Sequence, residues 1–322
     1  ELYVSDFLRE EGEPRGGQVE MKMMLEENTG AVRLEKVAPG DVMYGQYWYR
    51  SGINDTMKKE LSGIIDSIYK VKKLKENDIW LDIACNDGTL LSFLPKELIR
   101  IGIDPVDDSF KAESEKYANE VVQDYFTADA YKSTKYGNQK AKVVTSIAMF
   151  YDLDDPKTFI KNVGEILDDD GVWVLQLSYT PLMIKQMAFD NICHEHVYYY
   201  SLFNLKNLFE QNGFKIMDCQ LNDVNGGSFR VYAMKKDSNE KTFGTQPYRD
   251  ICKFRVESLL EYEKTLKLDL PETWTNFFND INTLKEKTVN FIKEAKAEGK
   301  TVWGYGASTK GNTLLQYFDL DE

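Results

Sequence analysis

The apolar positions of this 322-residue chain change their period along its length. Between residues 57 and 74 they fall at Leu61, Ile64, Ile65, Ile68, Tyr69 and Val71, a spacing that puts one apolar stripe on a helix. Short apolar runs then alternate with helical stretches. Strands are expected at 79–84, 100–104, 121–126, 143–148 and 171–177, with helices over 90–98 and 156–167 between them. Such alternation implies right-handed crossovers and a parallel sheet. The block closes differently. A helix over 205–212 stops at Gly213, and strands at 214–221 and 228–235 flank the turn-forming stretch Asp223-Val-Asn-Gly-Gly227. That pattern predicts a hairpin ending the sheet. Long, charged, periodic stretches at 248–268 and 274–299 predict two amphipathic helices. A strand at 301–305, a tight turn at 306–311 and a helix starting at 312 end the chain. One strand and one helix cannot cover their own apolar faces, so the chain is expected to break off inside a second α/β domain. Residues 1–45 are polar, broken by Gly16–Gly17 and Pro39–Gly40, and suit short strands and turns.

Composition narrows the function classes. Hydrophobic residues at 42% and aromatics at 13% are enough to build cores, which argues against wholesale disorder. A net charge of −13 disfavours a nucleic acid as partner, since that binding needs a basic surface. No apolar run approaches the ~20 residues of a membrane span, so no membrane partner is expected. Cys85, Cys193, Cys219 and Cys252 form no CxxC pair, which points away from a disulfide framework or a zinc site and towards reduced thiols in the cytoplasm. Nothing in the pattern fixes an oligomeric state.

The first strand runs into Leu81-Asp-Ile-Ala-Cys-Asn-Asp-Gly-Thr-Leu-Leu91. Small residues at such a strand end let backbone approach a ligand, and the next helix offers free N–H groups. Asp104 ends the second strand, a position that suits a carboxylate on the ribose hydroxyls of an adenosine. Ala84 and Asn86 stand where a dinucleotide fingerprint has glycines. A pyrophosphate wants those glycines, whereas S-adenosylmethionine carries no phosphate, so it is the expected cofactor. Asp82, Ala84, Asn86, Gly88, Asp104 and Pro105 are its candidate residues, with Asp124 and Tyr125 near the adenine and Ala148 at the end of the fourth strand. A parallel sheet closed by a hairpin is also the pattern of class I methyltransferases, a Rossmann-like sheet.

Four segments in register resemble the sugar C-methyltransferases. Asp82-Ile-Ala-Cys-Asn-Asp-Gly-Thr89 is similar to their cofactor motif, and Tyr47-Trp-Tyr-Arg-Ser-Gly52 to the aromatic segment before it. Cys193-His-Glu-His196 with Tyr199-Tyr-Ser-Leu202 resembles their catalytic stretch, and Gly304-Tyr-Gly-Ala-Ser-Thr-Lys-Gly-Asn312 the opening of their C-terminal domain. The resemblance implies residues 1–45 as the remnant of a zinc module, 46–236 as the cofactor domain, 237–300 as a helical connector and 301–322 as the start of a Rossmann-like domain. It implies C-methylation beside the ketone of a nucleotide-linked keto-deoxysugar, a small-molecule substrate that a few local cations suffice to hold.

The resemblance assigns roles. His196 is the general base, a group whose pKa suits proton abstraction near neutral pH. Glu195 orients it, and Tyr49 brings a phenol near the reacting carbon. Cys193 stands where the family often has a tyrosine. Metal ligation and a structural histidine pair remain open readings of His194 and His196, and core packing of Tyr47–Tyr49. Tyr47, His194, Asn225, Ser228 and Arg230 are candidate sugar contacts; Tyr305, Ser308, Lys310 and Asn312 are candidate phosphate contacts on a Gly-rich strand-to-helix turn. That turn and the 225–230 hairpin also read as plain structural turns. Glu26 and Thr29 stand where the family's second CxxC pair aligns, so no metal is expected and residues 1–40 are expected to be loosely ordered. O- or N-methylation of another metabolite, and a non-catalytic binding subunit, are the alternatives.

Overall fold

The computed structural model describes residues 19–26, 29–40, 43, 49–304 and 309–320. An N-terminal hairpin, β1 (Met23–Leu25) and β2 (Val32–Leu34), precedes helix α1 (Asp55–Val71). Then follow β3 (Ile79–Ile83), α2 (Thr89–Ser92), β4 (Ile99–Ile103), α3 (Asp108–Ser114), β5 (Glu120–Val122), α4 (Ala128–Lys132), β6 (Ala141–Ile147), α5 (Pro156–Ile166) and β7 (Leu167–Ser178). Helix α6 (Thr180–Lys185) and the two-residue strand β8 (Tyr198–Tyr199) lead to α7 (Leu202–Gln211), β9 (Phe214–Asn222) and β10 (Ser228–Lys235). Helices α8 (Gln246–Leu266), α9 (Pro271–Ala297) and α10 (Thr309–Phe318) complete the chain.

Among the described residues, seven strands form one sheet in the order β5-β4-β3-β6-β7-β10-β9. All pairs from β5 to β7 are parallel, and β10 runs antiparallel to both its neighbours. This is the class I methyltransferase sheet, with the expected hairpin at its edge. Strand residues alternate between two apolar layers, as the two-residue period of a strand requires. Leu81, Val144 and Trp173 face α5 and α7, while Trp80, Val143 and Val174 face α1 through Leu61, Ile64, Ile65 and Ile68. A third cluster joins Val32, Tyr199, Met183, Phe189, Trp274 and Phe318, tying the N-terminal hairpin and α9 to the segment after β7.

Four expectations change. The helix expected over 90–98 is only Thr89–Ser92, because Pro95 cannot donate to a helical ladder and disfavours helical backbone before it. The edge strand expected over 121–126 ends at Val122, where its pairing with β4 ends. Residues 301–304 form no strand, since no partner strand lies beside them among the described residues, and Trp303 is 85% exposed. The N-terminal stretch, expected to be loose, builds a sheet: β2 pairs with β1 on one side and with β8 on the other. Its turn is held where zinc ligands were sought. Glu26 accepts from the Thr29 hydroxyl at 2.9 Å and from Arg33 Nε at 2.8 Å. None of the described helices is long and apolar enough to cross a membrane.

Candidate active site

In an open α/β sheet, ligands bind outside the carboxyl ends of the strands where strand order reverses. Here that point lies between β3 and β6. Both strands leave the sheet through residues in the left-handed region: Ala84 at φ 57° and Asn86 at φ 52° after β3, and Ala148 at φ 55° after β6. Side chains there cost energy, so the surrounding hydrogen bonds must hold the turns. Ala84 N–H donates to Ile103 O and Ala148 N–H to Gln176 O, each at 2.8 Å.

Asp104 follows β4 and is 7% exposed. Its carboxylate accepts from Asn86 N–H at 2.7 Å and Val106 N–H at 3.1 Å, which fixes its orientation. Burial raises its pKa, against the pull of those two donors. Pro105, half-buried, turns the chain away behind it. Asp82 lies deeper. It accepts from the Thr145 hydroxyl at 2.6 Å, and burial, with Asp104 nearby adding to it, pushes its pKa up to about 7.

The tail of the aromatic segment is clasped onto this loop. Asn86 accepts from Ser51 N–H at 3.0 Å and donates through Nδ2 to Tyr49 O at 2.9 Å. Asp87 accepts from Gly52 N–H at 2.8 Å and from the Thr89 hydroxyl at 2.6 Å. A side chain at Gly52 would meet Thr89 Oγ1 at 2.8 Å, so glycine permits the docking. Arg50 stacks 3.9 Å over the Phe110 ring and donates to the Ser109 hydroxyl at 2.7 Å. Tyr49 remains 45% exposed, its pKa raised by partial burial and by Asp87. Gly88 is a packing residue: its Cβ would lie 2.6 Å from Ser114 Cα. Asp124 and Tyr125 are exposed beyond β5, with the Tyr125 hydroxyl against Gly40.

A second constellation follows β7. His196 N–H donates to Cys193 O at 3.1 Å, closing a tight turn. His196 Nδ1 lies 2.7 Å from Asn191 O. A carbonyl only accepts, so Nδ1 carries the proton and Nε2 is left with a lone pair. The ring meets Tyr151 edge-on, with centroids 4.4 Å apart. His194 is 3% exposed and donates through Nε2 to Val19 O at 3.0 Å; burial lowers its pKa. Cys193 is buried and Glu195 half-buried. A cavity of about 10 Å³, room for one water-sized group, lies between Tyr151, Ser178, Thr180, Asn191, His196 and Tyr199.

The hairpin turn sits at the same end of the sheet, since Ser228 pairs with Ser178. Asn225 has φ 54°, and Gly227, at φ 112°, presses on Leu182. The Ser228 hydroxyl donates to Val224 O at 2.8 Å. Arg230 is already committed. It donates to Gln176 Oε1 at 3.0 Å, Ser67 Oγ at 3.1 Å and Glu60 Oε1 at 2.6 Å, which makes it a strut between sheet and α1. Two contributors escape sequence reasoning. Asn191 sets the His196 tautomer through its backbone. Glu263, on α8 and 5% exposed, accepts from the Tyr179 hydroxyl at 2.6 Å and from Leu202 and Phe203 N–H at 2.7 and 2.8 Å, fixing both flanks of the histidine segment. Tyr47, Tyr305 and Ser308, and the Lys310 side chain, lie outside the described residues; Asn312 is half-buried on α10. Among the described residues, no group of three His, Cys, Asp or Glu is placed to hold a metal.

Residues 54–218, more than half the chain, match the family model of a methyltransferase domain. The chain belongs to this methyltransferase family. Residues 223–322 of the methyltransferase match a second model, the C-methyltransferase C-terminal domain. The C-methyltransferase NovU of Streptomyces niveus is 25% identical over 88% of this chain, and the alignment spans 65% of that relative's length. Among solved structures, an S-adenosylmethionine-dependent methyltransferase of Clostridium acetobutylicum aligns over 57% of this chain and 93% of its own, with a TM-score of 0.42 and 14% identity. A magnesium protoporphyrin IX methyltransferase of Synechocystis with bound S-adenosylmethionine gives 0.39 and 11%, over 56% and 78%. The cofactor of the family is S-adenosylmethionine, and the crevice fits it. Asp104 is an oriented, buried carboxylate with the chemistry to accept from ribose hydroxyls, and the turn at Ala84 and Asn86 lacks the glycines of a pyrophosphate cradle.

Proposed function

We propose that this methyltransferase places the methyl group of S-adenosylmethionine on the carbon beside the ketone of a nucleotide-linked keto-deoxysugar, with His196 as general base. The observation that carries the reading is the His196 geometry: Nδ1 is held by Asn191 O, so the ring keeps one basic nitrogen at the edge of a cavity beyond β7. The match of residues 223–322 to a C-methyltransferase domain and the likeness to NovU support carbon as the acceptor. In this reading Asp104 accepts the ribose hydroxyls, Asp124 and Tyr125 flank the adenine, and the clasped segment at Tyr49 covers the crevice. Asp82, Ala84, Asn86 and Ala148 shape its floor. Asn225 and Ser228 on the hairpin turn, with His194 behind, border the sugar, and the α10 region bears on the diphosphate. The bound cofactor supplies an electrophilic methyl group, so the protein's work is alignment and charge stabilisation. His196 Nε2 takes the proton from carbon, and the electron pair moves onto the keto oxygen. The carbon then forms its bond to the methyl group as the methyl–sulfur bond breaks.

The test is incubation with isotope-labelled S-adenosylmethionine and nucleotide-linked keto-deoxysugars, reading the position of the new methyl group. Label on oxygen or nitrogen would replace this reading with O- or N-methylation, for which His196 also serves as base.

A further inference from the structure

The cavity beside His196 is lined by Asn191 and Tyr199, whose buried polar atoms keep unused hydrogen-bonding capacity. Tyr199 is 6% exposed; the Cys193 backbone N–H is directed at its buried hydroxyl, and no acceptor takes the hydroxyl's own proton. Asn191 Oδ1 is unpartnered, although Asn191 Nδ2 is anchored to Ala188 O at 3.1 Å. An unmade hydrogen bond on a buried polar atom is costly, and native structures keep few of them. Tyr199 is not placed by chance. It sits on β8, whose pairing with Val32 of β2 holds the ring rigidly against the third apolar cluster. The Cys193 thiol is buried, and a neutral thiol is a weak donor. A cavity of about 10 Å³ accepts one oxygen atom and little more.

We propose that this cavity is the seat of the keto oxygen and that Tyr199 is a catalytic residue, its hydroxyl donating to that oxygen as the carbon–hydrogen bond breaks. The assignment rests on the C-methylation reading above. Base and donor then face one ketone from two sides. His196 Nε2 takes the proton, the electron pair settles on oxygen, and the Tyr199 O–H bond stays intact while its hydrogen bond to the developing charge shortens. Asn191 lines the same cavity, and its unpartnered Oδ1 is the acceptor for a hydroxyl on the neighbouring sugar carbon, so the site reads a hydroxy-ketone edge. This makes the β1-β2-β8 sheet part of the active site, because it is what holds the donor in place.

The test is Tyr199→Phe, which removes one oxygen and keeps the ring. The probes are the 4-keto-6-deoxyglucose esters of thymidine and uridine diphosphate, with S-adenosylhomocysteine, in deuterated water. Wild-type protein should exchange the hydrogen beside the ketone, and the variant should exchange it roughly 10²–10³-fold more slowly, the size expected for one donor to an oxyanion. Its affinity for S-adenosylmethionine, read by calorimetry, should stay within about twofold of wild type, which separates loss of the donor from loss of the fold. Wild-type rates of exchange in the variant would overturn the Tyr199 assignment alone. Absence of exchange in the wild type would bring down the C-methylation reading and this assignment with it.

Discussion

The two halves of the crevice are built on opposite principles. At the cofactor half, every side chain singled out by its motif is engaged by protein. Asn86 is held by Tyr49 and Ser51, Asp87 by Gly52 and Thr89, and Asp104 by two backbone N–H groups. At the proposed substrate half, Asn191 Oδ1 and His194 Nδ1 are buried without partners, and the Tyr199 hydroxyl has no acceptor for its proton. A satisfied network is rigid and presents a fixed shape. An unsatisfied one carries a cost that a ligand can relieve. On the proposed function, the comparison teaches that the cofactor half is preorganised and that selectivity resides where polar atoms keep unused hydrogen-bonding capacity.

Removing the base tests the substrate half most strongly. A positioned general base contributes roughly 10²–10⁴ in rate, so His196→Asn should lower kcat by about that factor. Cofactor affinity, measured by calorimetry, should stay within about twofold, because the cofactor half has its own hydrogen bonds. A parallel loss of affinity would show that the halves are one network and break the comparison.

Arg230 sharpens it from the other side. The ion pair with Glu60 is largely buried, with side-chain exposures of 8% and 21%. Breaking a fully buried pair costs roughly 3–5 kcal/mol; the partial exposure of Glu60 brings this down to about 2–3 kcal/mol. Arg230→Leu should therefore lose that much stability in urea titration. A rise in KM for the nucleotide-sugar with no stability change would return Arg230 to the substrate.

Asp104→Ala should weaken S-adenosylmethionine binding by about 1.5–3 kcal/mol, the value of two hydrogen bonds to a charged group. Calorimetry reads it directly. Unchanged affinity would move the ribose elsewhere and remove the cofactor half from the comparison.

How much of this was legible in the sequence follows the same divide. The parallel sheet and its closing hairpin could be read from apolar runs and turn residues, because strand order here is set by local pattern and short connections. The tight turn at Ala84 and Asn86 was legible because backbone chemistry is local. The difference between His194 and His196 was not. It depends on which carbonyl each ring meets: Val19, far along the chain, for one, and Asn191 for the other. Gly88 was read as a ligand contact, and the packing of Ser114 against it, which leaves no room for a Cβ, could not be seen in the sequence. Arg230 looked like a cation for a substrate, yet Glu60 and Ser67 on α1 take its donors. Glu263 gave no signal, since a lone glutamate on a charged helix is ordinarily solvated, and only the tertiary fold buries it.

The smallest effect concerns Asp82, the one group of the cofactor half whose charge the protein leaves poised. Its pKa rises from the ordinary 3.8 to about 7 on folding, mainly through burial. Below pH ~4 the carboxyl is protonated in both folded and unfolded chains and contributes no pH dependence. Between pH ~4 and ~7 the unfolded chain has released the proton while the folded chain holds it, so stability must fall as pH rises through that window. Above ~7 both states are ionised and the loss levels off. Asp104, also raised, gives the same sign, whereas neutral buried His194 gives the opposite one, losing stability as pH falls. The comparison with Asp82→Asn isolates the Asp82 contribution. Asn retains the oxygen that accepts from Thr145 and has no proton to release. Melting temperatures of the two proteins, taken from pH 4 to 8, should diverge steadily, with the wild type losing ground to the variant up to pH ~7. Parallel curves would mean that Asp82 is ionised in the folded protein throughout, and that the cofactor half holds a settled charge there as well.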